Sequence, residues 1–179
     1  MKWKIALVAV LVCSVGAVVA QPHKKKSSAG HATPGVSGQI RTAAKAAVTT
    51  GCDAELWTHV YHKARLHVVE QCIAVTGVIR HIKPEADGDD HVQLTLNPEF
   101  SGLLNARNKS AQSNSLVVEP VCQGLCTQPD ALASCRDFHS PVTVPADGTK
   151  VRIVGSFVLD GEANHGWMEI HPVSSIEVQ

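Results

Sequence analysis

The spacing of apolar and polar residues along this chain changes several times, and each change marks a segment. Ile5 to Ala20 is apolar or small throughout, behind Lys2 and Lys4. The run is short for a membrane span, and Val18-Val19-Ala20 ends it with the short side chains a signal peptidase reads. Residues 1–20 are therefore expected to be a cleavable export signal. Cys13 follows Val12, where a lipoprotein signal would place a small residue. From 21 to 50 the periodicity dissolves. Lys24, Lys25, Lys26, Ser27 and Ser28 precede a mixture of Gly, Ala, Thr and Pro with too little apolar surface to offset the entropy of ordering. This stretch is expected to be a flexible linker, leaving 51–179 as one folded domain.

Within that domain, Leu56, Trp57, Val60, Tyr61 and Ala64 lie on one stripe at helical spacing behind Asp53, a capping residue. They predict an N-terminal helix over 53–64. Leu66 to Ile82 then reads as a long strand, rich in Val and Ile, with Gly77 placed for a bulge or bend. Asp87-Gly88-Asp89-Asp90 is a turn. His91 to Leu96 alternates cleanly, with Val92, Leu94 and Leu96 on one face. Asn97 to Ser115 reads as a polar loop and Leu116 to Cys122 as a third strand. Thr127, Pro129 and Asp130 start a short helix with Ala131, Cys135 and Phe138 on one face. Lys150 to Leu159 is a fourth strand with Gly155 in its middle. Met168 to Val178 is a fifth, with Met168, Ile170, Ile176 and Val178 facing the core. The order predicts a mostly β domain: a five-stranded OB-like Greek-key barrel with a short helix between strands 3 and 4. An open sheet or a sandwich satisfies the same pattern.

Charge narrows the partners once it is divided by region. The whole chain balances 16 basic against 16 acidic residues. After Gly51, however, nine basic residues face 16 acidic ones, near −7 with histidine neutral. Nucleic-acid binding needs a basic surface, so nucleic acid is not an expected partner. A small molecule, a glycan or a protein is. No second long apolar run follows the signal, so no transmembrane segment is expected in the mature chain.

Five cysteines follow the signal, and in an exported chain, periplasmic or extracellular, disulfides are the default. Spacing favours Cys122 with Cys135 and Cys52 with Cys72, leaving one thiol over. Cys122, Cys126, Cys135 and His139 offer a zinc-ligand set instead.

Candidate chemistry gathers in His165-Gly-Trp-Met-Glu-Ile-His171-Pro. If Met168 and Ile170 face the core, Trp167, Glu169 and His171 share the outer face, and together with His91 they are the candidate ligand-binding residues. His165, Glu169 and His171, helped by Asp89 or His91, are candidate ligands for a divalent metal, the one cofactor the sequence suggests. A structural His–Glu pair on an outer face, and a solvated turn at Asp87 to Asp90, satisfy the same residues without a metal. Glu119, after Leu116-Val117-Val118, reads as a buried carboxylate at a groove edge, and Pro120 as a strand end.

Five pieces carry a resemblance: Cys72-Ile-Ala-Val-Thr-Gly77, Asp87-Gly-Asp-Asp-His91, Leu116-Val-Val-Glu119, Val151-Arg-Ile-Val-Gly155 and His165-Gly-Trp-Met-Glu-Ile-His-Pro172. With them, Cys72 to Val173 resembles a group of uncharacterised exported bacterial proteins with an OB-like domain, which implies a shared fold and no established activity. Asp87-Gly88-Asp89 after a long first strand is also similar to the corresponding turn of secreted thermonuclease-type barrels. The arginines and second acidic motif of those enzymes have no clear counterpart here. The chain has no nucleophile elbow and no phosphate-cradling loop. The leading expectation is thus an exported, non-enzymatic binding or structural module. A metal-binding site, with hydrolysis as one use of it, comes second and a thermonuclease-like enzyme third.

Overall fold

Strand β1 (Leu66–Pro84) is long enough to serve two neighbours. In the computed structural model, which describes residues 49–179, its first part pairs antiparallel with β4 (Lys150–Asp160) and its last part with β2 (Asp90–Leu96). The expected signal at 1–20 and nearly all of the expected linker at 21–50 lie outside the described residues. Gly77 stands opposite both Leu96 and Val151, where the partners change over. A Cβ at Gly77 would strike the Thr95 carbonyl oxygen and the Leu94 side chain, so the strand bends where only glycine fits.

β2 pairs antiparallel with the short β3 (Leu116–Val118), which runs parallel to β5 (Met168–Val178). β5 returns antiparallel to β4, and the mixed sheet closes in a ring ordered β1-β2-β3-β5-β4. Ile73, Val75, Ile79, Leu94, Ile153 and Phe157 fill its interior. With few aromatics in the chain, branched aliphatics supply most of this core.

A second apolar cluster lies on the other side of the sheet. Val158 joins Leu56, Val60 and Leu66 from the N-terminal segment and Val121 and Cys122 from the stretch after β3. The Trp57 indole donates to Ser156 Oγ at 3.2 Å, and His59 stacks on Phe138 with ring centroids 3.6 Å apart. The outer face of β4 and β5 is therefore roofed by protein. Two disulfides fasten the roof: Cys52–Cys72 ties the N-terminal segment to β1, and Cys122–Cys135 closes the covering loop. These are the two pairs favoured by spacing. They suit an oxidising compartment. Cys126 is free and half-buried, and with two of its four donors in a disulfide the Cys122/Cys126/Cys135/His139 zinc set is excluded. No described helix is long and apolar enough to cross a membrane.

The helices depart most from expectation. In place of an N-terminal helix over 53–64 there are two 3-10 turns, Ala54–Thr58 and Lys63–Arg65. Asp53 does cap the first, accepting from the Glu55 N–H at 2.9 Å. His62 at φ 47° breaks the run before the second. No helix forms between β3 and β4. There the N–H groups of Ala131, Ser134 and Phe138 reach back only three residues, to Gln128, Ala131 and Cys135, as separate turns, and Asp137 stands at φ 57°, so no run of helical bonds builds up. The α-helix of the domain, α1 (Ala106–Ala111), follows a 3-10 turn at Pro98–Leu103, both inside the stretch read as a loop. A reciprocal Asn105–Asn108 capping box starts it. β3 is also shorter than expected, ending before Glu119 and Pro120. β5 loses strict alternation: the register shifts around Gly155, Val173 joins the core, and Val178 is 65% exposed.

Candidate functional site

The strand register assembles one row of polar side chains. Val92 pairs with Val118, which sets His91 level with Glu119 across β2 and β3. Val117 and Val118 pair in parallel with Glu169 and Ile170, and the Glu119 N–H bonds to the Ile170 carbonyl at 3.0 Å. Glu119 thus arrives beside Glu169 and His171. All four point away from the ring interior, but the roof described above buries them: Glu169 is 0% and His171 1% exposed. The sequence pattern puts His91, Glu169 and His171 on an outer face and marks only Glu119 as buried. Alternation along one strand reports a single apolar layer, and here the covering segments supply a second.

Glu119 is the hub. Its Oε1 lies 3.0 Å from His91 Nδ1 and its Oε2 2.9 Å from His171 Nδ1. Arg65 Nη2 approaches the same Oε2 at 3.8 Å. His171 Nδ1 also lies 3.2 Å from Glu169 Oε1, whose other oxygen accepts from the Trp167 indole N–H at 3.0 Å. Arg65 Nε donates to Asp160 Oδ2 at 3.3 Å, and His165 Nδ1 lies 2.7 Å from that oxygen. His91 Nε2 faces Gln112 Oε1 at 3.1 Å. On the far side of the imidazole, His171 Nε2 and Asp89 Oδ2 face each other at 3.5 Å, both buried and both without a hydrogen-bond partner. Asp89 is held rigidly, with Oδ1 accepting the Cys122 N–H at 2.8 Å.

The charges follow from these contacts. Burial opposes a charged His171, but hydrogen bonds to Glu119 and Glu169, and their negative charge, raise its pKa to about 10. Burial likewise opposes a charged Glu119, and hydrogen bonds from His171 and His91 overcome it, holding the carboxyl below its ordinary range. Burial pushes Glu169 up, and the neighbouring Glu119 adds to the push. Burial also raises Asp89, to about 7, against the opposing charge of His171. His91 is raised because its bond to Glu119 outweighs the cost of burial. The floor is thus a buried ionic network in which imidazolium and guanidinium groups share carboxylates.

Above this floor opens a polar cleft of about 450 Å³. Glu85, Asp87 and Asp89 of the β1–β2 turn, His91 and Gln93 of β2, and His165 and Trp167 before β5 line it, with Arg65, Gln112, Glu119 and Gln128. The Asp87–Asp90 turn is no solvated hairpin: it docks on the loop after β3, and Asp89 is 3% exposed. Among the residues proposed from sequence, His91, Glu169 and His171 are joined through Glu119, and Asp89 faces His171. His165 goes to Asp160 and stacks on Trp167 with centroids 4.2 Å apart, outside the group of facing metal-ligand atoms. That group is Asp89, Glu119 and His171, whose donor atoms lie within 4.8 Å of one another.

Glu119 was legible as a buried carboxylate and not as the centre of the network, because the parallel β3–β5 pairing carries no local signal. Arg65, Asp160 and Gln112 gave no signal at all. No protein-family model matches this chain, and no curated protein matches it.

Proposed function

We propose that this chain is an exported, OB-like binding module whose cleft takes a short oligosaccharide without turning it over. The observation that carries the reading is the composition of the cleft wall. In OB-folds the first hairpin turn, the β4–β5 loop and the sheet between them form the face that binds oligonucleotides and oligosaccharides. The ring order supports an OB-like assignment, and the cleft is bounded by the same turn and loop. Negative charge on the domain disfavours a polyanionic strand, which leaves the sugar. Gln93, Gln112 and Gln128 present amides suited to hydroxyl groups, and Trp167 gives the wall an aromatic edge. The disulfides and the expected signal support export, and the likeness to exported bacterial proteins over Cys72 to Val173 is read as shared fold.

A non-catalytic role is favoured by how the floor groups are engaged: His91, which lines the cleft, has both ring nitrogens occupied, by Glu119 and Gln112. General acid–base catalysis wants a reachable group near neutrality. Glu119 is held too acidic and His171, at about 10, too basic. Asp89, at about 7, keeps one oxygen on Cys122 and the other buried against His171.

Saturation-transfer NMR and calorimetry with maltose, cellobiose and diacetylchitobiose test the reading. Binding to at least one, weakened by Gln93→Ala and Gln128→Ala with the sugar recovered intact, is the expected result. Absence of binding to all three, undiminished binding by both variants, or hydrolysis at an enzyme-like rate would overturn it.

A further inference from the structure

We propose that Asp89, Glu119 and His171 form a site for one divalent first-row transition ion, zinc being the best fit, at the floor of the cleft. The inference is independent of what fills the cleft above. It starts from the two buried atoms with no partner, Asp89 Oδ2 and His171 Nε2, 3.5 Å apart. An ionised imidazole–carboxylate hydrogen bond is about 2.7–2.9 Å long, so this separation is a poor hydrogen bond. Two donors each about 2.0–2.1 Å from a tetrahedral zinc stand roughly 3.3–3.4 Å apart, which is close to what these atoms show. The side chains are 3% and 1% exposed, so they are held apart by their supports and not by water.

Those supports are the ones a metal site needs. A metal-bound imidazole characteristically gives its other N–H to a carboxylate, fixing ring and tautomer. His171 Nδ1 has Glu169 at 3.2 Å and Glu119 at 2.9 Å for that purpose. Asp89 is fixed through Oδ1 by the Cys122 N–H. Glu119, now 2.9 Å from His171 Nδ1 on the other edge of the ring, is the third member of the group and reaches the ion only by giving up that bond. When it turns an oxygen to the ion, Glu169 keeps the Nδ1–H. Asp89 and Glu119 border the cleft, which is the route by which an ion and its remaining water ligands would reach the two closed atoms. One imidazole with two carboxylates suits zinc and disfavours calcium, which takes oxygen donors. Loading exchanges the Nε2 proton of His171 for the ion, and that proton leaves to solvent. The other nearby grouping, Asp89 with Cys122 and Cys135, is closed to a metal because its sulfurs are bonded to each other.

The test uses the full exported chain made without an affinity tag, stripped with chelator, equilibrated with zinc, manganese or calcium, desalted and analysed for metal. We expect about one retained equivalent of zinc and a higher unfolding temperature with zinc than without. Asp89→Asn keeps the acceptor for Cys122, and circular dichroism reports its folding. It should lose the retained ion and the thermal shift together. Cys126→Ser should retain both, which separates the site from the free thiol. Cobalt substitution should give a visible band in the wild type and none in Asp89→Asn. Less than about a tenth of an equivalent in the wild type, or equal loading of a folded Asp89→Asn, would overturn the site, the first outcome leaving a plain Asp89–His171 ion pair.

Discussion

Glu119 Oε2 and His171 Nδ1 meet at 2.9 Å because two strands far apart in the chain run parallel side by side. The contact buries a carboxylate that an arginine and a second histidine also use. Removing its charge takes the nearest carboxylate from both histidines in a roofed layer, leaving His171 Nδ1 only Glu169 and Arg65 only Asp160. Glu119→Gln is expected to cost about 3–5 kcal/mol, far more than exposed acids such as Asp147. Urea unfolding of the two variants side by side measures the difference.

The same layer gives the metal-free domain a stability maximum with two limbs of opposite origin. His171 rises from 6.5 unfolded to about 10 folded, so its contribution is complete below 6.5 and is lost as pH climbs through 10. Glu119 is lowered from 4.5, so its contribution is present above 4.5 and is lost as acid titrates the folded carboxyl. Asp89, raised from 3.8 to about 7, opposes Glu119: its ionisation across that interval works against the fold. Urea midpoints of chelator-treated protein should therefore decline on the alkaline side from near neutrality. Glu119→Gln should flatten both limbs, since it removes the partner that raises His171.

Asn108 supports β5 from below. Its amide donates to the Ser115 and Met168 carbonyls at 3.0 and 2.8 Å and accepts the Met168 N–H at 2.8 Å. Asn108→Ala takes the side-chain partner from the buried Met168 N–H and Ser115 carbonyl, while the Met168 carbonyl stays in the β3–β5 ladder, and should cost about 2–3 kcal/mol. Native-state hydrogen exchange should show the Met168 amide losing protection before the β1–β4 pairs do.

The Cys52–Cys72 link closes a loop of sequence separation 20, for which chain entropy gives about 3 kcal/mol. The double variant Cys52→Ala, Cys72→Ala should lose roughly that amount in denaturant unfolding. Cys126→Ser should stay within about 0.5 kcal/mol of the parent.

Periodicity locates the five strands, although it overruns the end of β3 and misfaces the end of β5. Val92/Leu94/Leu96 and Val151/Ile153/Phe157 alternate in a way that only a half-buried strand explains, and Gly77 marked the bend. It failed where contacts outside the segment decide. Ala131, Cys135 and Phe138 have helical spacing, yet the loop is tied to Gly88 and Ala86 at its start and closes only separate turns after that. Asn105 and Asn108 cap each other, but asparagine at the third helical position falls outside the usual Ser/Thr-to-Glu/Gln capping pattern, so α1 went unread. Site residues were recognised one by one at His91, Glu169 and His171. Their meeting at Glu119 depends on the β3–β5 neighbourhood, a long-range fact with no trace in local spacing.

The backbone N–H that fixes Asp89 belongs to Cys122, and Cys122 is also one end of the covering loop's disulfide. A covalent bond in the covering layer therefore helps to set where an acid in the cleft points. Chains kept reduced would be expected to keep the five strands and to lose the aim of that acid, so that maturation of the cleft follows the oxidation state of the surroundings.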